Sequence, residues 1–107
     1  MKFGLSENTI LKICDVLARC SQVDEAILYG SRAKGNYKNG SDIDLTLRGK
    51  DLTWRVLYKI MDELDDLLLP YTIDLSLYEN INDAELKAHI ARVGLVFYRK
   101  GEVRVLA

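Results

Sequence analysis

Histidine occurs once in this sequence, proline once and cysteine twice. Cys14 and Cys20, six residues apart on one amphipathic segment, form neither a C-x-x-C pair nor a disulfide framework. They are expected as buried small apolar residues. His89 has no second His or Cys at ligand spacing, which argues against a metal site built on it and leaves it a structural or surface role. A single proline and seven glycines exclude a disordered or low-complexity chain. No apolar run approaches the roughly 18 residues of a membrane span. The start, Met1-Lys2-Phe3-Gly4, lacks the apolar stretch of a signal peptide. A cytoplasmic location away from membranes is therefore expected. Charge of one sign is missing too: 15 Lys and Arg against 16 Asp and Glu give a net charge of -1. Without a global basic field, direct nucleic-acid binding is not expected, and any contact with a nucleotide must be local.

What is present suits one module. The 107 residues, 49% apolar and 29% charged, fit a single domain with one core, residues 1–107. Ile10, Ile13, Cys14 and Leu17 recur at helical spacing after a cap at Ser6, predicting a helix over 7–21. Residues 26–29 predict a strand that ends in a turn at Gly30. Residues 31–34 fit one helical turn stopped by Gly35, and the Asn39-Gly40 pair marks a loop before a strand over 42–47. Apolar residues from Leu57 to Leu68 predict the longest helix over 52–69, closed by Pro70. A strand over 71–78 follows. Asn82 with Glu85 resembles a capping box for a helix over 83–93 that Gly94 ends. Residues 95–99 predict a strand, and Lys100-Gly101 a turn into an extended tail over 102–106. This order favours an α+β fold with helices packed on one face of the sheet.

The chemistry-bearing residues sit on two of these strands. In a strand, alternate side chains share a face, so Ile43, Leu45 and Leu47 point one way and Asp42 and Asp44 the other. Asp74 occupies the same phase between Ile73 and Leu75. With the apolar sides on a common core, all three carboxylates emerge on the open face. Two like charges about 4 Å apart repel by about 1 kcal/mol in water and by about 4 kcal/mol at an effective dielectric near 20. A divalent cation would convert that repulsion into ligation. Asp is depleted in strands, and three of them after a Gly30-Ser31 turn suited to phosphate are not explained by solubility. Asp65 and Asp66 belong with a solvated helix face, and Trp54, Tyr58 and Tyr78 with a core or an interface. A P-loop is excluded, because Ser41 follows Gly40 where that motif needs lysine. A sugar-nucleotide Asp-x-Asp enzyme would need a longer chain for its acceptor.

Gly30-Ser31-Arg32-Ala33-Lys34-Gly35, Ser41-Asp42-Ile43-Asp44-Leu45 and Asp74 resemble the minimal nucleotidyltransferase (MNT) domains of the DNA polymerase beta superfamily over residues 25–78. Lys34 stands where arginine is usual and Tyr29 where phenylalanine is common. The resemblance implies a polymerase beta-like nucleotidyltransferase fold with a mixed sheet and an enzyme using ATP and Mg2+, two ions in the family pattern. Asp42, Asp44 and Asp74 would be the catalytic and metal-binding residues, and Gly30, Ser31 and Arg32 would bind the nucleotide. Asp74 would also accept the proton of the incoming hydroxyl. It further implies an antitoxin of a HEPN/MNT toxin–antitoxin pair, transferring AMP to a tyrosine hydroxyl of a HEPN-domain RNase toxin, in a homo- or hetero-oligomer. Two alternatives remain at this point: a non-catalytic nucleotide-binding module that neutralises its partner by occlusion, and a nucleotidyltransferase for a small molecule of the aminoglycoside type.

Overall fold

A computed structural model describes residues 2–102. The extended tail expected over 102–106 falls almost wholly outside these residues. Helix α1 (Glu7–Ala18) is capped by the Ser6 hydroxyl, which accepts from the Thr9 N–H. It ends three residues earlier than its apolar pattern suggests, in a turn closed by Cys20 N–H to the Leu17 carbonyl. Strand β1 (Glu25–Tyr29) runs directly into the five-residue helix α2 (Gly30–Lys34), which Gly35 stops in the left-handed conformation. Strand β2 (Ile43–Arg48) begins one residue after Asp42.

Helix α3 (Trp54–Asp65) is shorter than the expected 52–69 at both ends. The Thr53 hydroxyl caps its start. At the other end, Leu67 and Leu68 donate to carbonyls only three residues back. Leu68 then takes φ 54, a left-handed turn that swings the chain out before Pro70 is reached. Leu68 is consequently exposed, while Leu67 and Leu69 pack against the core. Strand β3 (Ile73–Leu77) is followed by a 3-10 turn over Tyr78–Asn80, so Tyr78 lies outside the strand expected over 71–78.

Helix α4 (Ala84–Val93) is capped by Asp83 instead of Asn82: the Asp83 carboxylate accepts from the N–H groups of Glu85 and Leu86. Either side chain suits a helix start, and the local letters do not fix which one takes it. Gly94 does end α4, but with extended backbone, φ -61 and ψ 138. Its missing side chain matters for space, because a Cβ there would run into the Ile90 carbonyl and Ile27. Strand β4 (Leu95–Arg99) completes the sheet. No helix among the described residues is long and apolar enough to cross a membrane.

The four strands form one mixed sheet in the order β3-β2-β1-β4. β1 runs antiparallel to β2 and β4, and β2 runs parallel to β3 with α3 as the crossover. Ile43, Leu45, Leu47, Leu75, Leu77, Ala26 and Leu28 line the face covered by α1 and α3, whose residues Ile13, Leu17, Leu57, Ile60 and Leu64 close the core. Cys14 is buried in it and Cys20 is half-buried at its rim. Complete burial of a leucine-sized side chain contributes about 1.5 to 3 kcal/mol, so this face fixes the phase of every strand. The opposite face is only partly open. Helix α4 stands over β1 there, and Thr46 on neighbouring β2 is fully buried.

Candidate active site

Strand register places the acids. Asp44 pairs with Asp74 across β2 and β3, and with Tyr29 across β2 and β1. Directly paired residues share a face, so the two carboxylates and the phenol ring emerge together on the side away from α1 and α3. Asp42, two residues before Asp44 and just outside the strand, follows the same alternation and is exposed, as is Asp74. Asp44 is half-buried between them. Its carboxyl is held above the usual carboxylate range, first by burial, then by the charges of Asp74 and Asp42, with His89 pulling the other way. The repulsion anticipated from the alternation of charges is therefore centred on Asp44.

The turn beside these acids is built from glycine and arginine. Gly30 has φ 75, and a Cβ on it would run into the Asp44 carboxylate, so both conformation and space require glycine here. Ser31 opens the turn, and its carbonyl accepts from the N–H groups of Gly35 and Asn36. Arg32, expected to contact the nucleotide, is only 3% exposed. Its Nε and Nη2 donate to the Ser41 carbonyl at 3.0 and 2.8 Å, and its Nη1 to the Phe3 carbonyl at 2.8 Å. Its guanidinium also lies 5.3 Å from the Tyr37 ring centroid and 5.0 Å from that of Tyr71. The planar fork and weak hydration of a guanidinium suit it to hold these two carbonyls in the interior. Arg32 anchors the residue that immediately precedes Asp42. The Ser41 hydroxyl also accepts from the Lys38 N–H at 2.8 Å, which tightens the same loop.

The structural role expected of His89 takes the form of a contact that the sequence does not reveal. From the face of α4 His89 reaches back 59 residues, and its Nε2 accepts the Gly30 N–H at 3.2 Å. Its ring meets Tyr29 edge-on, with centroids 6.3 Å apart. Nothing near His89 in the chain signals this contact, which exists because α4 returns over β1. Deeper on the same face, the Ser76 hydroxyl donates to the Thr46 hydroxyl at 2.9 Å. Burial pushes the Tyr29 phenol up, with Asp74 and Asp44 adding to the effect and a Ser76 hydrogen bond opposing it.

Among the described residues, no group of three or more His, Cys, Asp or Glu side chains is gathered closely enough to enclose a metal ion. The donor set nonetheless suits magnesium, which is commonly held by one or two carboxylates plus water and substrate phosphate oxygens rather than by an all-protein cage. The in-register pair Asp44 and Asp74, with Asp42 alongside, supplies such hard oxygen ligands on an accessible surface.

A family model described as polymerase beta nucleotidyltransferase matches residues 11–103. Among solved structures, a toxin–antitoxin complex with AMP-PNP is similar at 21% identity and a TM-score of 0.66, covering 91% of this chain and 76% of that one. A tri-AMPylated Shewanella oneidensis HEPN toxin in complex with its MNT antitoxin is similar at 17% identity and a TM-score of 0.66, covering 90% of this chain and 74% of that one. At these identities the structural likeness is one of fold. No curated protein sequence matches the chain.

Proposed function

The chain belongs to the polymerase beta nucleotidyltransferase family, and from that premise we propose that it is a single-domain, magnesium-dependent adenylyltransferase acting on a HEPN-domain toxin as its antitoxin. The observation that carries the chemistry is the register of Asp44 against Asp74 on the face beside Gly30. Support for the partner comes from the similar structures, one a toxin–antitoxin complex with AMP-PNP and the other a tri-AMPylated HEPN toxin in complex with an MNT antitoxin.

In this reading Asp42, Asp44 and Asp74 would hold the metal, and Ser31 and the Gly30 turn would lie against the triphosphate of ATP. Bound magnesium would offset phosphate charge and polarise the α-phosphorus. Asp74 orients the tyrosine hydroxyl of the partner and accepts its proton. The tyrosine oxygen forms a bond to the α-phosphorus, the bond to the bridging oxygen breaks, and pyrophosphate leaves with that electron pair. Arg32 holds the Ser41 carbonyl ahead of Asp42 and ties it to the Phe3 carbonyl.

The test combines purified protein, ATP, magnesium and a candidate HEPN-domain partner from the same genome. The partner gains the mass of one or more AMP units on its tyrosine, and D42N/D44N protein still binds the partner but adds no mass. Neutralisation of the toxin that survives unchanged in D42N/D44N, without any mass gain, would establish occlusion instead. Modification of an aminoglycoside by the isolated chain would favour the small-molecule reading.

A further inference from the structure

His89 is half-buried, on a helix that contributes no acid to the site, yet its side chain ends on the backbone of the motif turn. The contact has a defined polarity. Gly30 N–H is the donor, so Nε2 must present its lone pair, and the proton of the neutral ring must sit on Nδ1. The ring is fixed on a second side by Tyr29, whose position is set by pairing with Asp44. Gly30 is itself closed in by the Asp44 carboxylate. The Tyr29-Gly30 peptide is thus held by an imidazole from α4, with the Asp44 carboxylate of β2 packed beside Gly30 immediately before Ser31 begins. Packing of α4 on β1 and α2 holds the imidazole in place.

We infer that His89 is a positioning residue for nucleotide binding, which acts by accepting the Gly30 N–H and so fixing the Tyr29-Gly30 peptide, beside Asp44 and directly ahead of Ser31. The inference rests on the nucleotide reading above and adds to it a residue from outside the sequence motif. Its chemical requirement is an acceptor at the place of Nε2, not an imidazole as such. Glutamine carries its amide oxygen to about that place. Asparagine, one carbon shorter, carries its oxygen to about the place of Nδ1, and leucine fills similar space with no acceptor.

The experiment measures Mg-ATP affinity by calorimetry and thermal stability for wild type, H89Q, H89N and H89L. Loss of one neutral hydrogen bond corresponds to about three- to tenfold in affinity, so H89N and H89L weaken by that factor while H89Q stays within about twofold of wild type. Equal affinity in all four proteins, or H89Q as weak as H89L, overturns the inference and leaves the nucleotide reading intact. Should H89L fail to fold, H89Q against H89N still decides, since both are polar and similar in size. Imidazole nitrogen NMR on the wild type, without nucleotide, gives an independent readout: the Nδ1–H tautomer is expected, and an Nε2–H tautomer overturns the contact. Wild-type protein that fails to bind Mg-ATP removes the nucleotide reading and this inference with it.

Discussion

Gly30 lies so close to Asp44 that no side chain fits between them: a Cβ on Gly30 would run into the Asp44 carboxylate. The same residue needs φ 75. Gly30→Ala therefore meets two penalties, the left-handed backbone, which alone costs about 1 to 2 kcal/mol for an L-residue, and displacement of the carboxylate. Urea unfolding should show a loss of at least that size, and the folded fraction should bind Mg-ATP more weakly than wild type. An alanine variant as stable as wild type would contradict the geometry of this turn.

Asp44 gives a prediction of opposite sign. Its carboxyl is raised by burial and by Asp74 and Asp42, so the folded protein keeps this proton to higher pH than the unfolded chain does. Stability from this group is full below the ordinary carboxylate range and is lost as pH rises through the raised folded value. At neutral pH the charged form weakens the fold. Asp44→Asn should raise the melting temperature in the presence of a chelator at pH 7, with the gain vanishing in acid. Added magnesium should stabilise wild type and leave the variant unchanged, because a ligand that binds only the folded state raises its apparent stability.

Arg32 is predicted to matter for the fold before it matters for substrate. Arg32→Met removes the bonds to the Ser41 and Phe3 carbonyls and should cost about 2 to 3 kcal/mol, in line with hydrogen bonds to charged groups. Arg32→Lys keeps the charge but cannot span both carbonyls, so its loss should be intermediate. Chemical denaturation of the three proteins checks this order. A lysine variant of undiminished stability with sharply reduced Mg-ATP affinity would favour the phosphate-contact reading.

The cap of α4 separates two adjacent residues. Asp83→Ala should cost about 1 kcal/mol, since it strips the acceptor from the Glu85 and Leu86 N–H groups, whereas Asn82→Ala should stay within about 0.5 kcal/mol of wild type. Thermal melts of the two variants decide which residue starts the helix.

Alternation along two apolar segments was enough to place β2 and β3 and to put Asp44 and Asp74 on one face, because a strand with one buried side has only two phases. Helix ends were less legible. The apolar pattern runs on through Leu67 and Leu68, but the left-handed turn at Leu68 is a backbone choice that periodicity does not encode. The surroundings of Arg32 were hidden for a related reason: its burial against Tyr37 and Tyr71 brings together segments far apart in the chain. The contact of His89 was invisible on the same ground. Its partner is a backbone N–H 59 residues away, and no side-chain pattern marks a backbone group.

The parallel pairing of β2 with β3 has a bearing on how such a chain can vary in length. The crossover through α3 joins the two strands without entering their ladder, so residues can be gained or lost at its exposed ends while Asp44 and Asp74 keep their alignment. A single residue inserted between Ile73 and Asp74 would do the reverse, turning the acid towards Leu45 and Leu47 and an aliphatic side chain out to water. Tolerance to insertion is thus concentrated in the connecting helix and withheld from the six residues of β2 before it and the five of β3 after it, a division that a deletion scan would map directly.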